Sequence, residues 1–256
     1  MVNSIGFPSR RYSAIAHRHL KIAAPVGEDV LADLLCVLPL REGARVLDIG
    51  CGRGGLALRL AERFKAHILG VDTDETALAD ARAAARRGGL SARTEFHCMP
   101  ALDLPPGEPA DLAVCVAASH ACGGYEAALD FLRERVRPGG YMLLGEGYWK
   151  SPLDAEYLAF LGAEESDLDS HHGNTIRAAE RGLVTAWSFA SRTSDWDRYE
   201  GLYRLAMHKW LAANPDDPHH DEFAARSARW YEGYLKWGRE FMGFALYLFA
   251  VPPGKQ

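Results

Sequence analysis

The chain has 256 residues, enough for one large α/β domain or a core domain with a substantial insertion. Hydrophobic residues make up 48% and charged residues 25%, an ordinary globular balance, and a formal charge of −5 argues against a nucleic-acid surface as its main business. The opening "MVNSIGFPSRRYSAIAHRHL" lacks a signal peptide's apolar stretch, no run approaches a membrane span, and the 5 cysteines lack the density of a secreted scaffold, so a cytoplasmic protein with reduced thiols and no membrane partner is expected.

Residues 28–38 carry helical periodicity and stop before Pro39. "ARVLDIG" reads as a buried strand running into a glycine loop, and "LALRLAERF" as an amphipathic helix with its leucines and Phe64 on one face. A second strand is expected at 67–72 and a second helix after it, capped by Thr73 or Asp74. Strands at 92–98 and 111–119 follow. "YEAALDFLRERV" is a helix that Pro138-Gly139-Gly140 interrupts before a fifth strand, "YMLLGEG". Such alternation builds a parallel sheet covered on both faces. After Tyr148 the rhythm changes: short helices in "DAEYLAFLGAEE" and "TIRAAERG", a strand at 183–191, longer helices near 196–213 and 221–240, and an apolar strand at 243–251.

The loop "VLDIGCGRGG" satisfies two glycine patterns at once. Gly50, Gly52 and Gly55 read as a dinucleotide fingerprint, while Gly50, Gly52 and Gly54 read as G-x-G-x-G with Asp48 two residues upstream. Backbone N–H groups at such a turn bind phosphate, so the glycines alone do not decide. Asp48 does. A carboxylate at the strand end repels a pyrophosphate and attracts an ammonium, which fits a ligand carrying an α-amino group and a sulfonium. Asp72 ends the next strand, placed to accept hydrogen bonds from both ribose hydroxyls.

These segments resemble the class I S-adenosylmethionine-dependent methyltransferases. "VLDIGCGRGG" is similar to their first motif, "GVDTD" to the second acidic loop, "CMPALDLP" to the loop flanking adenine, "DLAVCVAASHA" to the fourth-strand motif and "VRPGGYMLLGEGYW" to the fifth-strand segment. The resemblance covers about residues 25–150. It implies S-adenosylmethionine as cofactor, S-adenosylhomocysteine as product, and cofactor contacts from Asp48, Gly50, Cys51, Gly52, Gly54, Asp72, Thr73, Pro100, Ala101, Leu102 and Ala117. Pro100 departs from the pattern, standing where many relatives carry an acid, which shifts adenine recognition to backbone, Ala101 or Leu102. The implied fold is a doubly wound, seven-stranded, mainly parallel sheet with its last strand antiparallel beside the fifth. The helices between strands six and seven would form a lid over the strand C-termini. The expected organisation is an N-terminal arm (1–24), a cofactor-binding Rossmann-like core (25–150), and a helical lid with strands six and seven (151–256), one domain overall.

Methyl transfer from a sulfonium is an in-line displacement that depends on alignment and exclusion of water. His120, just beyond the fourth strand, is the candidate base, or else a ring that hydrogen-bonds backbone and shapes the pocket. Glu146 in "GEGYW" is a second candidate, for cation binding or proton transfer, against a salt bridge to the lid. Tyr148, Trp149, Trp187, Trp196 and Tyr199 are candidate acceptor-binding residues. An aromatic cage for a cationic acceptor is one reading of the late tryptophans, Trp187, Trp196, Trp210, Trp230 and Trp237. Core filling between lid and sheet is the reading favoured for most of them. The pairs His171-His172 and His219-His220 sit in acidic stretches that read as solvated loops, and no metal is expected. In this architecture the arm often closes over the cofactor, which brings Tyr12 or His17 toward it. The expected activity is methyl transfer to a small-molecule acceptor. Its rivals are a nicotinamide-dependent oxidoreductase, which Asp48 disfavours, and a non-catalytic module that keeps the ligand pocket.

Overall fold

The computed structural model describes residues 10–150 and 153–254. Residues 1–9 of the expected arm lie outside the described residues. The first segment forms α1 (Arg10–Ala16) and α2 (Glu28–Val37). The alternating half follows as β1 (Arg45–Ile49), α3 (Gly55–Phe64), β2 (His67–Asp72), α4 (Glu75–Arg87), β3 (Thr94–Cys98), β4 (Ala110–Val116), α5 (Tyr125–Arg133) and β5 (Val136–Trp149). The remainder comprises α6 (Ala155–Leu161), α7 (His171–Glu180), β6 (Val184–Ala190), α8 (Thr193–Ala213), α9 (His220–Gly233) and β7 (Met242–Ala250). The chain of α9 runs on through a π-helical turn, Tyr234–Gly238, and one last helical turn, Arg239–Phe241.

The seven strands form one sheet in the order β3-β2-β1-β4-β5-β7-β6. Strands β1 to β5 pair in parallel, and β7 runs antiparallel to both β5 and β6. This is the implied topology. Side chains of β1 alternate between the faces, which divides the core in two. Val46 packs with Leu60, Leu78 and Val114 in the layer that includes α2, α3 and α4. Leu47 and Ile49 pack with Leu129, Leu132 and Met142 in the other. Replacing a leucine such as Leu60 or Leu129 by alanine should cost about 2–5 kcal/mol.

Asp74, not Thr73, caps α4, its carboxylate accepting from the N–H groups of Thr76 and Ala77. The α5–β5 boundary differs more. The helix ends at Arg133, and Val136 already pairs with Ala110 in the sheet. Pro138-Gly139-Gly140 therefore lies inside β5, where the register with β4 shifts between Ala110 and Leu112. An interrupted ladder tolerates proline and glycine where a regular one does not.

Two satellite cores sit beside the sheet. Tyr12 and Ala16 of α1 pack with Met207, Trp210 and Phe223 of α8 and α9. Trp149, Tyr157 and Leu161 gather Trp230 and Trp237 around them. The first helix is thus built into the α8–α9 pair, and Arg11 also pairs with Asp217 in the loop between them. No described helix is long and apolar enough to cross a membrane.

Candidate active site

The loop after β1 is held by its neighbours before any ligand arrives. The N–H groups of Gly50 and Cys51 both donate to the Val71 carbonyl, at 2.8 and 3.2 Å. Gly50 has φ +68, and a Cβ there would fall 2.2 Å from that of Ala118. Only glycine fits this close approach of loop to β4. Gly52 (φ +51) and Gly54 (φ +72) also take the left-handed conformation. Gly55, the third glycine of the dinucleotide reading, serves elsewhere: a Cβ there would meet the Lys21 carbonyl oxygen at 2.2 Å. It makes room for the N-terminal segment.

Asp72 closes the loop from β2. One carboxylate oxygen accepts the Gly52 N–H at 2.8 Å and the other the Asp74 N–H at 2.9 Å. Each keeps a further lone pair for a ligand hydroxyl. Asp48 is buried, 4% exposed, and ion-paired with no cationic side chain among the described residues. Its pKa is pushed up to about 8, first by burial and then by the charge of Asp72. Two carboxylates held together without a cation are suited to a positively charged ligand and unsuited to a pyrophosphate. The residues present therefore fit S-adenosylmethionine.

Around this pair, Thr73 is exposed, and its carbonyl accepts from the Cys98 thiol. Cys51 is buried. Pro100 precedes a 3₁₀ turn at Ala101–Asp103, in which Ala101 is buried and Leu102 is 62% exposed. Ala117 at the end of β4 has φ +56 while donating its N–H to the Gly145 carbonyl at 2.9 Å. A left-handed alanine costs of order 1 kcal/mol and is held there by its surroundings.

A cavity of about 300 Å³ opens at the strand C-termini, with Ala117 and Phe244 in its floor. Its walls come from the segment around α1, from α6, and from α8 and α9 with the π-helical turn. Trp196 and Tyr199, both expected at the acceptor, line it, and so do Tyr12 and His17. Tyr148, Trp149 and Trp187 do not. Tyr148 packs beside His171 with ring centroids 5.2 Å apart, Trp149 donates its indole N–H to the Glu165 carbonyl, and Trp187 stacks on Phe189. A larger cavity, about 570 Å³, lies at the opposite ends of β1 and β2, near Arg45 and His67. Ligands of open α/β sheets bind at the strand C-termini, so the smaller cavity is the candidate site.

His120 and Glu146 lie outside the cavity wall. His120 is exposed in the 3₁₀ turn Ser119–Cys122. Glu146 accepts the Gly147 N–H at 3.1 Å, and burial raises its pKa. Alternation along β5 puts Glu146 on the same face as Met142 and Leu144, while Phe244 of the cavity belongs to the other core layer.

Of the histidine pairs, the first differs from expectation. His171 opens α7, and its Nδ1 lies 2.8 Å from the Tyr247 hydroxyl, so a protein core holds it and not a solvated loop. His219 lies in the exposed turn before α9 and faces Glu222, as a solvated acidic stretch implies, and His220 at the first position of α9 faces Asp221. Among the described residues no cluster of three His, Cys, Asp or Glu side chains is arranged to hold a metal.

Glu200 is among the wall residues that carried no expectation. Glu200 is buried, 2% exposed, and accepts the Trp230 indole N–H at 2.9 Å. Its signal is a helical stripe: Trp196, Tyr199, Tyr203, Met207 and Trp210 repeat at three- and four-residue steps, and Glu200 falls on that stripe.

Comparison with known proteins agrees with this geometry. Residues 46–140 match the methyltransferase domain family. The chain is 30% identical over 239 residues to the uncharacterized protein YjhP of Escherichia coli, covering 93% of this chain and 96% of that one. The X-ray structure of YjhP superimposes with a TM-score of 0.89, covering 94% and 99% of the two chains. A SAM-dependent methyltransferase from Geobacter sulfurreducens, crystallised with S-adenosylhomocysteine, is 27% identical with a TM-score of 0.89 over 97% and 99%. Two further relatives are the 27-O-demethylrifamycin SV methyltransferase of Amycolatopsis mediterranei (28% identical, 69% of this chain, 70% of that one) and a ribosomal protein L11 methyltransferase of Stenotrophomonas maltophilia (38%, 44% and 35%). The chain belongs to the class I S-adenosylmethionine-dependent methyltransferases. S-adenosylmethionine is its cofactor, and its reaction is methyl transfer.

Proposed function

We propose that the acceptor is a small organic molecule enclosed in the cavity between the sheet and the α8–α9 pair. The observation that carries this reading is the cavity's size and its position over the strand C-termini. One space of about 300 Å³ is floored by Ala117 and roofed by helices, dimensions suited to a metabolite-sized guest. The similarity to a rifamycin methyltransferase, across about 70% of each chain, supports it. The similarity to the ribosomal protein methyltransferase covers 35% of that protein and weighs less.

Bound S-adenosylmethionine supplies a methyl group on a sulfonium sulfur and is left as S-adenosylhomocysteine. In the proposed assignment Asp72 receives the ribose hydroxyls, its carboxylate fixed by two backbone donors. Asp48 would supply the counter-charge to the ammonium end, and Gly50, Cys51, Gly52 and Gly54 would hold the amino-acid portion. Thr73, Pro100, Ala101 and Leu102 would hold the adenosine, and Ala117 would contact the cofactor from the cavity side. Trp196, Tyr199 and Glu200 hold the acceptor and exclude water. The same reading keeps an arm (1–24), a cofactor core (25–150) and a completing half with the lid (151–256).

The test is formation of S-adenosylhomocysteine in the presence of panels of small amines, phenols and carboxylic acids, and separately of ribosomal protein. Turnover with a small molecule supports the reading. Turnover confined to the protein substrate overturns it.

A further inference from the structure

Glu200 sits in unusual company for a buried carboxylate. Its single described hydrogen bond comes from Trp230, and no ion pair reaches it among the described residues. Its charge is felt by the phenols of Tyr157, Tyr199, Tyr203 and Tyr234, contributed by α6, α8 and the π-helical turn. All of these residues line the cavity. Arg226, also in the wall, holds its guanidinium 5.3 Å from the centre of the Tyr12 ring.

A carboxylate inside a ring of aromatic faces has two partners for one kind of guest. An organic cation gains a counter-charge and cation–π contacts together, both strengthened where water is excluded. A neutral guest of the same shape gains neither and leaves the carboxylate without compensation. An anionic guest gains nothing from Glu200.

We propose that the cavity takes an organic amine in its ammonium form, with Glu200 as counter-charge and the surrounding tyrosines and tryptophans as an aromatic cage. The proposal rests on the reading of this cavity as the acceptor site and names the substrate class for it. Burial pushes the Glu200 pKa up to about 7, so this carboxylate is also matched to the proton the amine must lose before it carries a methyl group. In that step the N–H bond breaks, an O–H bond forms on Glu200, and the electron pair stays on nitrogen.

The experiment is calorimetric titration of the protein, saturated with S-adenosylhomocysteine, with 2-phenylethylamine and with 2-phenylethanol, its neutral near-isostere. The amine should bind at least tenfold more tightly. In Glu200→Gln, which still offers an oxygen to the Trp230 N–H, the preference should vanish while S-adenosylhomocysteine binds as in wild type. Equal or tighter binding of the alcohol, or a preference that survives Glu200→Gln, overturns the charge argument and leaves the cavity as acceptor site standing. Binding of neither probe overturns both.

Discussion

Nε2 of His17 lies 3.0 Å from the hydroxyl of Tyr199, joining the chain just past α1 to α8, 182 residues away. The direction of this bond follows from its neighbour. Nδ1 lies 2.9 Å from the Ser13 carbonyl, which only accepts, so Nδ1 carries the proton and Nε2 accepts from Tyr199. Burial, and to a lesser degree the charge of Arg53, lowers the His17 pKa, which keeps the ring neutral near pH 7.

A lowered histidine pKa means that, just below pH 6.5, the unfolded chain binds a proton that the folded chain does not. Its stabilising contribution is present above that pH and is lost as pH falls. Hydrogen exchange, corrected for intrinsic rates, should show steady protection of residues 12–20 between pH 8 and 7 and a decline below about pH 6.5. His17→Gln should flatten that profile. Protection unchanged down to pH 5.5 in wild type would show that this bond does not hold the segment.

Asp48 gives the opposite slope. Its folded pKa is raised to about 8, so between about pH 4 and 8 the folded protein keeps a proton that the unfolded chain releases. The ligand-free protein should lose thermal stability as pH rises through this window, with Glu200 adding to the trend up to about 7. Asp48→Asn should reduce the loss. Affinity for S-adenosylmethionine, measured by calorimetry, should rise from pH 6 to pH 8 in wild type and stay flat and weak in Asp48→Asn. A wild-type affinity independent of pH would remove Asp48 from the cation-binding role.

The proposed ribose role of Asp72 ties loop geometry to ligand affinity. Loss of a charged acceptor costs about 1.5–3 kcal/mol, so Asp72→Ala should weaken S-adenosylhomocysteine binding roughly ten- to a hundredfold. Because the same carboxylate fixes the N–H groups of Gly52 and Asp74, amide exchange at residues 50–54 should also quicken. Wild-type affinity in the variant would take the ribose role from Asp72.

The cofactor half was legible because its signals are local. Strand β2 occupies the expected residues 67–72, and the glycine loop falls between strand and helix. The α5–β5 boundary was misjudged because proline and two glycines normally end an element, and only pairing with β4 and β7 reveals a strand running through them. The acceptor side was harder to see. Trp149 and Trp196 look alike in sequence, yet one fills a satellite core and the other lines the cavity. Glu200 follows Tyr199 on α8, and a helix position alone does not say whether a carboxylate points to water or inward. Only the packing of α9, which delivers Trp230, decides it.

The central claim is that the acceptor lies beneath α8 and α9 against Glu200. Its most direct test is a crystal structure of the S-adenosylhomocysteine complex with 2-phenylethylamine. The account predicts the amine nitrogen within ion-pair distance of the Glu200 carboxylate and the ring among Trp196, Tyr203 and Trp230. Amine density outside this cavity, or a cavity without the amine in cofactor-loaded crystals, would contradict it.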